Sequence, residues 1–527
     1  MSGPSIILLV AALAVVFADL SNSARILGFF PSPSKSHLII YNAIAEALAE
    51  QGHNVTIFQT IPNFMKKSKC NRVVVDVNGF DSQFLREIIN NPVPFYRRIG
   101  SITDQIEKHS KLVWAHPKTQ QFLRDNQDSF DLLILGYFLN DYHLGLGAHF
   151  NCPVILSFTI QPIFGINRML GNPMELAYVP TLSAGLKQPL NFMGRVQNFL
   201  VSMCEDLVMS TLINYRMNSV YESFFPSNRY PTLQTMYNNI SLLLSNHHFT
   251  QGPIRPDVPA VIFIGGIAIK EKPDPLPADI TQFMDNAEEG VIFFSFGSNV
   301  QGDHLTKERI KIIFDVLSSL PYNVLWKWSD GERPGEAKNI LYKSWLPQDD
   351  ILAHPNVKLF ITHGGKGSIV ESQYHGVPMV GIPLFADQPS NMVSVEAAGF
   401  GLVVDYMTLS APRLRAAILE VLQNHKYSEA VQKFSELYRD RPMTTRQTAV
   451  YWVEYVLRHR GARHLQSPVV HLNGWQRMSL DVIGFLLGIV AAMVAAMMAV
   501  WKGIVSCRRG RKIVDLSKSK TRDKKMK

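Results

Sequence analysis

Two series of short apolar runs, one on each side of a charged, proline-rich spacer, leave this 527-residue chain few folds to choose from. The first series passes through residues 25–30, 55–58, 73–77, 132–135 and 154–158, with a helix expected over 37–51. The second passes through 291–296, 310–320, 324–328, 357–362, 379–382 and 402–404. Apolar runs of strand length alternating with helical stretches predict parallel sheets covered on both faces by crossover helices. The spacer, Lys-Glu-Lys-Pro-Asp-Pro-Leu-Pro at 270–277, sets the boundary, because prolines interrupt helix and sheet alike. Two α/β domains are expected, at 24–269 and 278–470. The carboxyl ends of their strands would face a common cleft, where ligands bind in such sheets. The stretch 160–240 is irregular and rich in Met, Phe, Asn and Pro, which predicts variable binding surface on a rigid scaffold.

The densest chemistry lies within 357–391. A buried strand over 357–362 runs into His363, and Gly364, Gly365 and Gly367 allow a sharp turn into a helix through Val370, Glu371 and Tyr374. The first amides of such a helix are unpaired and partly positive, a site for an anion such as a diphosphate. His363 can donate to the same oxygens, and Ser368 falls in the first turn. Glu371, one turn on, shares a face with Ser368 and can accept from two vicinal hydroxyls, as on a ribose. A second strand-to-loop passage, 378–385, delivers Asp387 and Gln388, an acceptor and an amide suited to sugar hydroxyls.

This segment, in register from His363 through Gly364-Gly365, Ser368 and Glu371 to Asp387-Gln388, resembles the signature of the UDP-glycosyltransferases. The resemblance extends over nearly all of 24–470 and implies the GT-B architecture, two Rossmann-like domains facing a cleft. The first would bind the acceptor and the second a UDP-sugar, with helices over roughly 427–460 crossing back to the first domain. It implies a general base at His37, in Pro-Ser-Lys-Ser-His at the head of the first helix. An imidazole near pKa 6.5 is the one side chain largely unprotonated at pH 7 yet still basic. In vertebrate members an Asp that holds this base follows the strand matching 130–135, and here that position is Gly136. The nearest acid, Asp141, is expected to hold His37 if the loop folds back, or else to cap the helix beginning at Tyr142.

The same resemblance gives Ser298, in Ser-Phe-Gly-Ser, a phosphate contact. Trp345 would stack on uracil, and Gln348, in Trp-Leu-Pro-Gln, would reach the ribose. No Asp-x-Asp occurs in the chain, so no metal and no cofactor beyond the UDP-sugar co-substrate are expected. One direct displacement by an activated hydroxyl would invert the anomeric carbon. Glucuronosyl members are expected to carry a basic residue near the end of the first domain, where this chain has Asn246. UDP-glucose is the expected donor, insect members of this look being mostly glucosyl enzymes, and a UDP-glucuronosyltransferase is the alternative. The acceptor would be a small lipophilic hydroxyl compound such as a phenol, terpenoid, steroid or plant toxin.

The two ends address the chain to a membrane. Residues 1–23 read as a secretory signal with an apolar run over 6–17. Residues 482–501 lack any charge and are long enough to span a bilayer. The tail 502–527 holds eleven Lys and Arg against two Asp, which equals the formal net charge of +9 of the whole chain. The basicity therefore reports a stop-transfer tail and argues against nucleic acid as a partner. A single-pass type I protein of the endoplasmic reticulum with luminal domains is expected. Lys524 and Lys525 match the dilysine pattern read by the COPI coat. Asn54 and Asn239 head glycosylation sequons, and no disulfide is indicated among four cysteines. A homo-oligomer is left open. A reading of another class, a non-catalytic membrane-anchored binder of lipophiles, is kept alive by Gly136. It is opposed by His37, His363, Glu371, Asp387 and Gln388 standing together, since a binder needs no base beside a diphosphate site.

Overall fold

The computed structural model describes residues 23–62, 68–77, 79–91, 95–329 and 332–523, in two compact units, Met1–Ser467 and Pro468–Lys527. The readings of a signal over 1–23 and of a dilysine at 524–525 fall almost wholly outside the described residues.

The first unit holds two sheets in which every pairing is parallel. One comprises β1 (Arg25–Phe30), β2 (Asn54–Gln59), β3 (Asn71–Val74), β4 (Leu132–Gly136), β5 (Val154–Phe158), β6 (Ile240–Ser245) and β7 (Val261–Phe263). Its order is β3-β2-β1-β4-β5-β6-β7. The other comprises β8 (Val291–Ser295), β9 (Asn323–Lys327), β10 (Ile340–Lys343), β11 (Val357–Thr362), β12 (Met379–Gly381) and β13 (Gly401–Val403), in the order β10-β9-β8-β11-β12-β13. The expected run 310–320 lies mostly in the helix Lys307–Ser318. Strands β6 and β7 complete the first series, which the sequence reading had ended at β5.

Strand alternation builds a core on each face. From β1, Leu27 and Phe29 join Phe58 and Leu133 on one side, while Ile26 and Phe30 join Leu38 and Ile44 on the other. From β8, Ile292 and Phe294 face one core, and Val291 and Phe293 the other. Each sheet also reverses its direction of winding once, between β1 and β4 and between β8 and β11. The loops at the carboxyl ends of those strands part there and leave a crevice.

Two helices are exchanged between the sheets. The helix Ser82–Asn90 follows β3 in the chain, yet its Leu85, Ile88 and Ile89 pack with Ile292, Phe294 and Leu317 of the second sheet's core. In return, the helix Thr445–Arg458 sends Ala449, Val450, Val453 and Val456 into the core around Ile26 and Leu38. Spacings of three and four residues put each set on one helix face.

In the second unit one helix runs Leu480–Asp523, and its stretch Leu480–Arg509 is long and apolar enough to cross a membrane. Thirty residues of helix extend about 45 Å against a hydrocarbon core of about 30 Å. The predicted segment 482–501 lies inside it.

Candidate active site

Both crevices are occupied by the residues singled out above. β8 ends in Ser295 and the chain turns through Gly297, whose φ of +80° favours glycine. A Cβ at Gly297 would lie 2.6 Å from the His363 ring, and one at Gly365 would lie 2.5 Å from its Nε2. The imidazole is therefore clasped between two glycines. His363 Nδ1 and Ser298 Oγ are buried without a hydrogen-bond partner, and both residues line the cleft. Burial, then the nearby Lys327, lowers the His363 pKa to about 4, so the ring is neutral at pH 7 and has one N–H to donate. Gly365 caps the helix Lys366–His375 without any side-chain cap, which leaves the first amides of that helix unpaired. Two orphaned polar atoms and a free helix N-terminus meet at one point, as an anionic ligand requires.

Along the same helix, the Gln348 amide donates to Ser368 Oγ at 2.9 Å and to the Glu371 carboxyl. Burial, followed by Asp349, pushes Glu371 up to about 8. Trp345 stands 48% exposed. At the far side of the cleft Asp387 precedes the helix Gln388–Ala397, in a turn where Ala386 adopts φ of 57°. Gln388 is largely spent on its own loop: its Oε1 accepts from the amides of Leu384 and Phe385 at 2.9 and 3.1 Å. Its Nε2 is what remains for a sugar hydroxyl.

In the first sheet, β1 delivers His37 into the first turn of the helix Lys35–Glu50. His37 Nδ1 lies 3.3 Å from Ser32 Oγ, and the ring meets Phe138 edge-on at 4.7 Å. Burial of the ring lowers its pKa to about 4. The expected partnership with Asp141 is not formed. Asp141 accepts instead from the Tyr137 and Tyr237 hydroxyls at 2.8 and 2.7 Å, and burial raises its pKa. The reason lies at Gly136, where the side-chain space is already taken: a Cβ there would lie 2.7 Å from the Tyr41 ring and 3.1 Å from Phe30. With no carboxylate at 136, the chain carries Asp141 past the base into a tyrosine pocket.

His37, Ser298, His363, Gly365, Ser368, Asp387 and Gln388 all line one cavity of about 160 Å³. Its apolar wall is made by Phe80, Phe84, Ile102, Phe138, Phe158 and Phe385. Of the irregular stretch 160–240, only Ile160 is among the lining residues. Among the described residues no three His, Cys, Asp or Glu are grouped to hold a metal ion.

Comparison with known proteins agrees with this geometry. The family model described as "UDP-glucoronosyl and UDP-glucosyl transferase" matches residues 28–513. The chain belongs to the UDP-glycosyltransferase family. It is 34% identical to UDP-glycosyltransferase UGT5 of Dactylopius coccus over 484 residues, covering 91% of each chain. It is likewise 34% identical to UDP-glucosyltransferase 2 of that organism, covering 91% of this chain and 93% of the other. Human UDP-glucuronosyltransferase 2B10 is 32% identical over 85% of this chain and 88% of its own. The fold matches a UDP-glucosyltransferase from Polygonum tinctorium solved in complex, with a TM-score of 0.56 at 16% identity over 83% of this chain and 99% of that one. The architecture is GT-B.

This UDP-glycosyltransferase carries polar groups in the cleft that the signature does not mark. Lys35 and Lys327 hold their Nζ atoms 3.8 and 4.8 Å from the centre of the Trp345 ring. Lys327 also donates to the Gly297 carbonyl at 2.7 Å, and burial, then Lys35, lowers it to about 8. Ser34 Oγ lies 2.9 Å from Asn299 Nδ2, a direct tie across the cleft. Lys366 lines the cavity at the first position of its helix. An apolar strand signal says nothing about a Lys at its end, so only the fold brings these groups together. Asn246 is a structural residue: its Oδ1 accepts from the Gly266 amide at 3.0 Å, and its Nδ2 donates to Thr159 at 3.3 Å.

Proposed function

We propose that this enzyme transfers a hexose, glucose, from UDP-glucose to a hydroxyl of a small lipophilic acceptor in one inverting, metal-independent step. The observation that carries the reading is that His37 of the first sheet shares one apolar-walled cavity with Ser298, His363 and Asp387 of the second. With Nδ1 engaged by Ser32, His37 Nε2 is the atom left to take the acceptor's proton. The acceptor oxygen then attacks the anomeric carbon from the face opposite the diphosphate. The carbon–oxygen bond to the β-phosphate breaks, and its electron pair leaves on UDP. Ser298, His363 and the amides after Gly365 receive that developing charge. Trp345, Gln348, Ser368 and Glu371 hold the nucleoside, and Asp387 with Gln388 the sugar. Asp141 is not needed in this scheme, because Ser32 and Phe138 already orient the imidazole.

The name of one insect relative, UDP-glucosyltransferase 2, supports glucose. A second reading, transfer of glucuronic acid, is favoured by one feature: the cationic Lys366 beside Asp387. The apolar helix Leu480–Arg509 and the basic tail support a single-pass type I anchor in the endoplasmic reticulum with luminal catalytic domains. Retrieval would run through Lys524 and Lys525.

Microsomes from cells expressing the full chain, given phenols and steroids with UDP-glucose or UDP-glucuronic acid in the presence of EDTA, test the reading by product mass. A hexoside formed with EDTA present supports it. A glucuronide alone overturns the assignment of the sugar, and loss of all activity to EDTA overturns metal independence.

A further inference from the structure

The glucosyl scheme above gives Lys366 no role. The lysine lines the cavity from the first position of the helix Lys366–His375, directly after Gly365, one of the two glycines that clasp His363. A half-buried ammonium ordinarily finds an anion or several acceptors, because desolvating the charge is costly. Among the described residues Lys366 makes no ion pair within 4 Å and no hydrogen bond, and Asp387 is the one acid whose charge acts on it. Burial lowers its pKa to about 8, against the pull of Asp387. Across the cleft its charge acts on His247 and His248, whose pKa values burial lowers first. Those histidines sit in the loop after β6. Lys366 is thus placed at the sugar end of the site, facing Asp387 and the first domain. Trp345, Gln348 and Glu371 are at the other end, where Lys35 and Lys327 already supply positive charge.

We infer that Lys366 binds an anionic oxygen at the distal end of the donor, either on the β-phosphate or on a carboxylate carried by the sugar. The inference rests on the UDP-sugar reading of this cleft. Both sources offer the same chemistry, a charge-assisted hydrogen bond from Nζ to an anionic oxygen. Either would give the lysine an anionic partner. A β-phosphate partner makes Lys366 one of the groups that stabilise the leaving UDP. A sugar carboxylate makes it the residue that selects a hexuronic acid over a neutral hexose.

The test uses the full chain in detergent, as wild type, Lys366→Met and Lys366→Arg. Binding of UDP and of UMP is measured by calorimetry, and turnover is measured with UDP-glucose and UDP-glucuronic acid. If the β-phosphate is the partner, Lys366→Met weakens UDP about tenfold or more, leaves UMP within about twofold, and slows both donors. If the sugar carboxylate is the partner, UDP affinity is kept and the ratio of glucuronosyl to glucosyl turnover falls about tenfold or more. Lys366→Arg, which keeps the charge, recovers part of the loss in either case. Unchanged UDP affinity together with an unchanged donor ratio in Lys366→Met overturns the inference. Should the Met variant fail to fold, Lys366→Gln with the same readouts takes its place. Failure of the underlying reading looks different, since the wild type itself would then bind no UDP and turn over neither donor.

Discussion

Gly136 and Tyr41 compete for one volume: a Cβ on the glycine would lie 2.7 Å from the tyrosine ring, whose hydroxyl is fixed on the Tyr137 carbonyl at 3.0 Å. The strand end at which an acid was expected is closed here by an aromatic ring, and His37 is left with a serine and a phenylalanine.

Restoring the acid should therefore fail. Gly136→Asp forces a side chain against Tyr41 and Phe30, and overpacking of this kind costs about 1–3 kcal/mol. A lower thermal midpoint with no gain in kcat is expected. A variant that is both stable and faster would show that the space can be vacated.

His37 and Asp141 should separate cleanly in mutants. His37→Ala is expected to lower kcat by about 10²–10⁴ while UDP binding persists, since the ring is on the acceptor side. Asp141→Asn leaves one acceptor for two tyrosine hydroxyls, so it should destabilise by about 1–3 kcal/mol and keep kcat within about tenfold of wild type. A kcat loss in Asp141→Asn as large as that in His37→Ala would reinstate the carboxylate–imidazole pair.

Ligand affinity should respond to pH with opposite signs at the two ends of UDP. Glu371 is raised to about 8 and is mostly protonated at pH 7. Ribose hydroxyls prefer the carboxylate, so uridine binding expels that proton and strengthens as pH rises from about 6.5 to 8.5. Lys366 is lowered to about 8, so the added affinity of the diphosphate weakens over the same range as it loses charge. Calorimetry of uridine and UDP at several pH values measures both trends. Glu371→Gln should flatten the uridine profile alone.

Acid should unfold the two-sheet unit early. Burial holds His37 and His363 at about 4, His143 and His248 at about 3, and His247 well below its ordinary value. Between pH 6.5 and about 4 the unfolded chain binds protons at five imidazoles that the folded chain leaves bare, and stability falls as pH falls. Glu371, Asp141, Asp387, Glu205 and Asp257 act the other way, because their raised pKa values let the folded state hold protons the unfolded one lacks. Between pH 6.5 and 5 it is the five imidazoles that titrate in the unfolded chain, whereas ordinary carboxyls titrate lower, so a net loss is expected. Thermal midpoints taken from pH 7.5 down to 5 should decline, and a flat profile would contradict the enclosed neutral rings.

The alternation of strand-length runs with helices was enough to expect two parallel sheets, since apolar periodicity is a local property of the chain. The donor side was nearly as legible, because His363, Gly365, Ser368 and Glu371 fall within nine residues and two helical turns fix their relation. What could not be read depends on distant partners. Asp141 is satisfied by Tyr237, 96 residues away, and no local pattern announces that bond. Lys35 meets Trp345 only because two domains close on each other. Binding surface was expected over 160–240, but the cavity also has an aromatic wall of Phe80 and Phe84. It comes from the segment that leaves the first sheet to pack on the second.

The exchange of helices has a practical meaning for anyone wishing to recombine this enzyme with a relative. A chimera cut in the proline-rich spacer would part Leu85, Ile88 and Ile89 from the Ile292 core they were shaped for, and Val453 and Val456 from Leu38. The two halves are therefore not interchangeable cassettes. A workable graft must carry Ser82–Asn90 with the second sheet and Thr445–Arg458 with the first, so that each new junction is covalently awkward but hydrophobically complete.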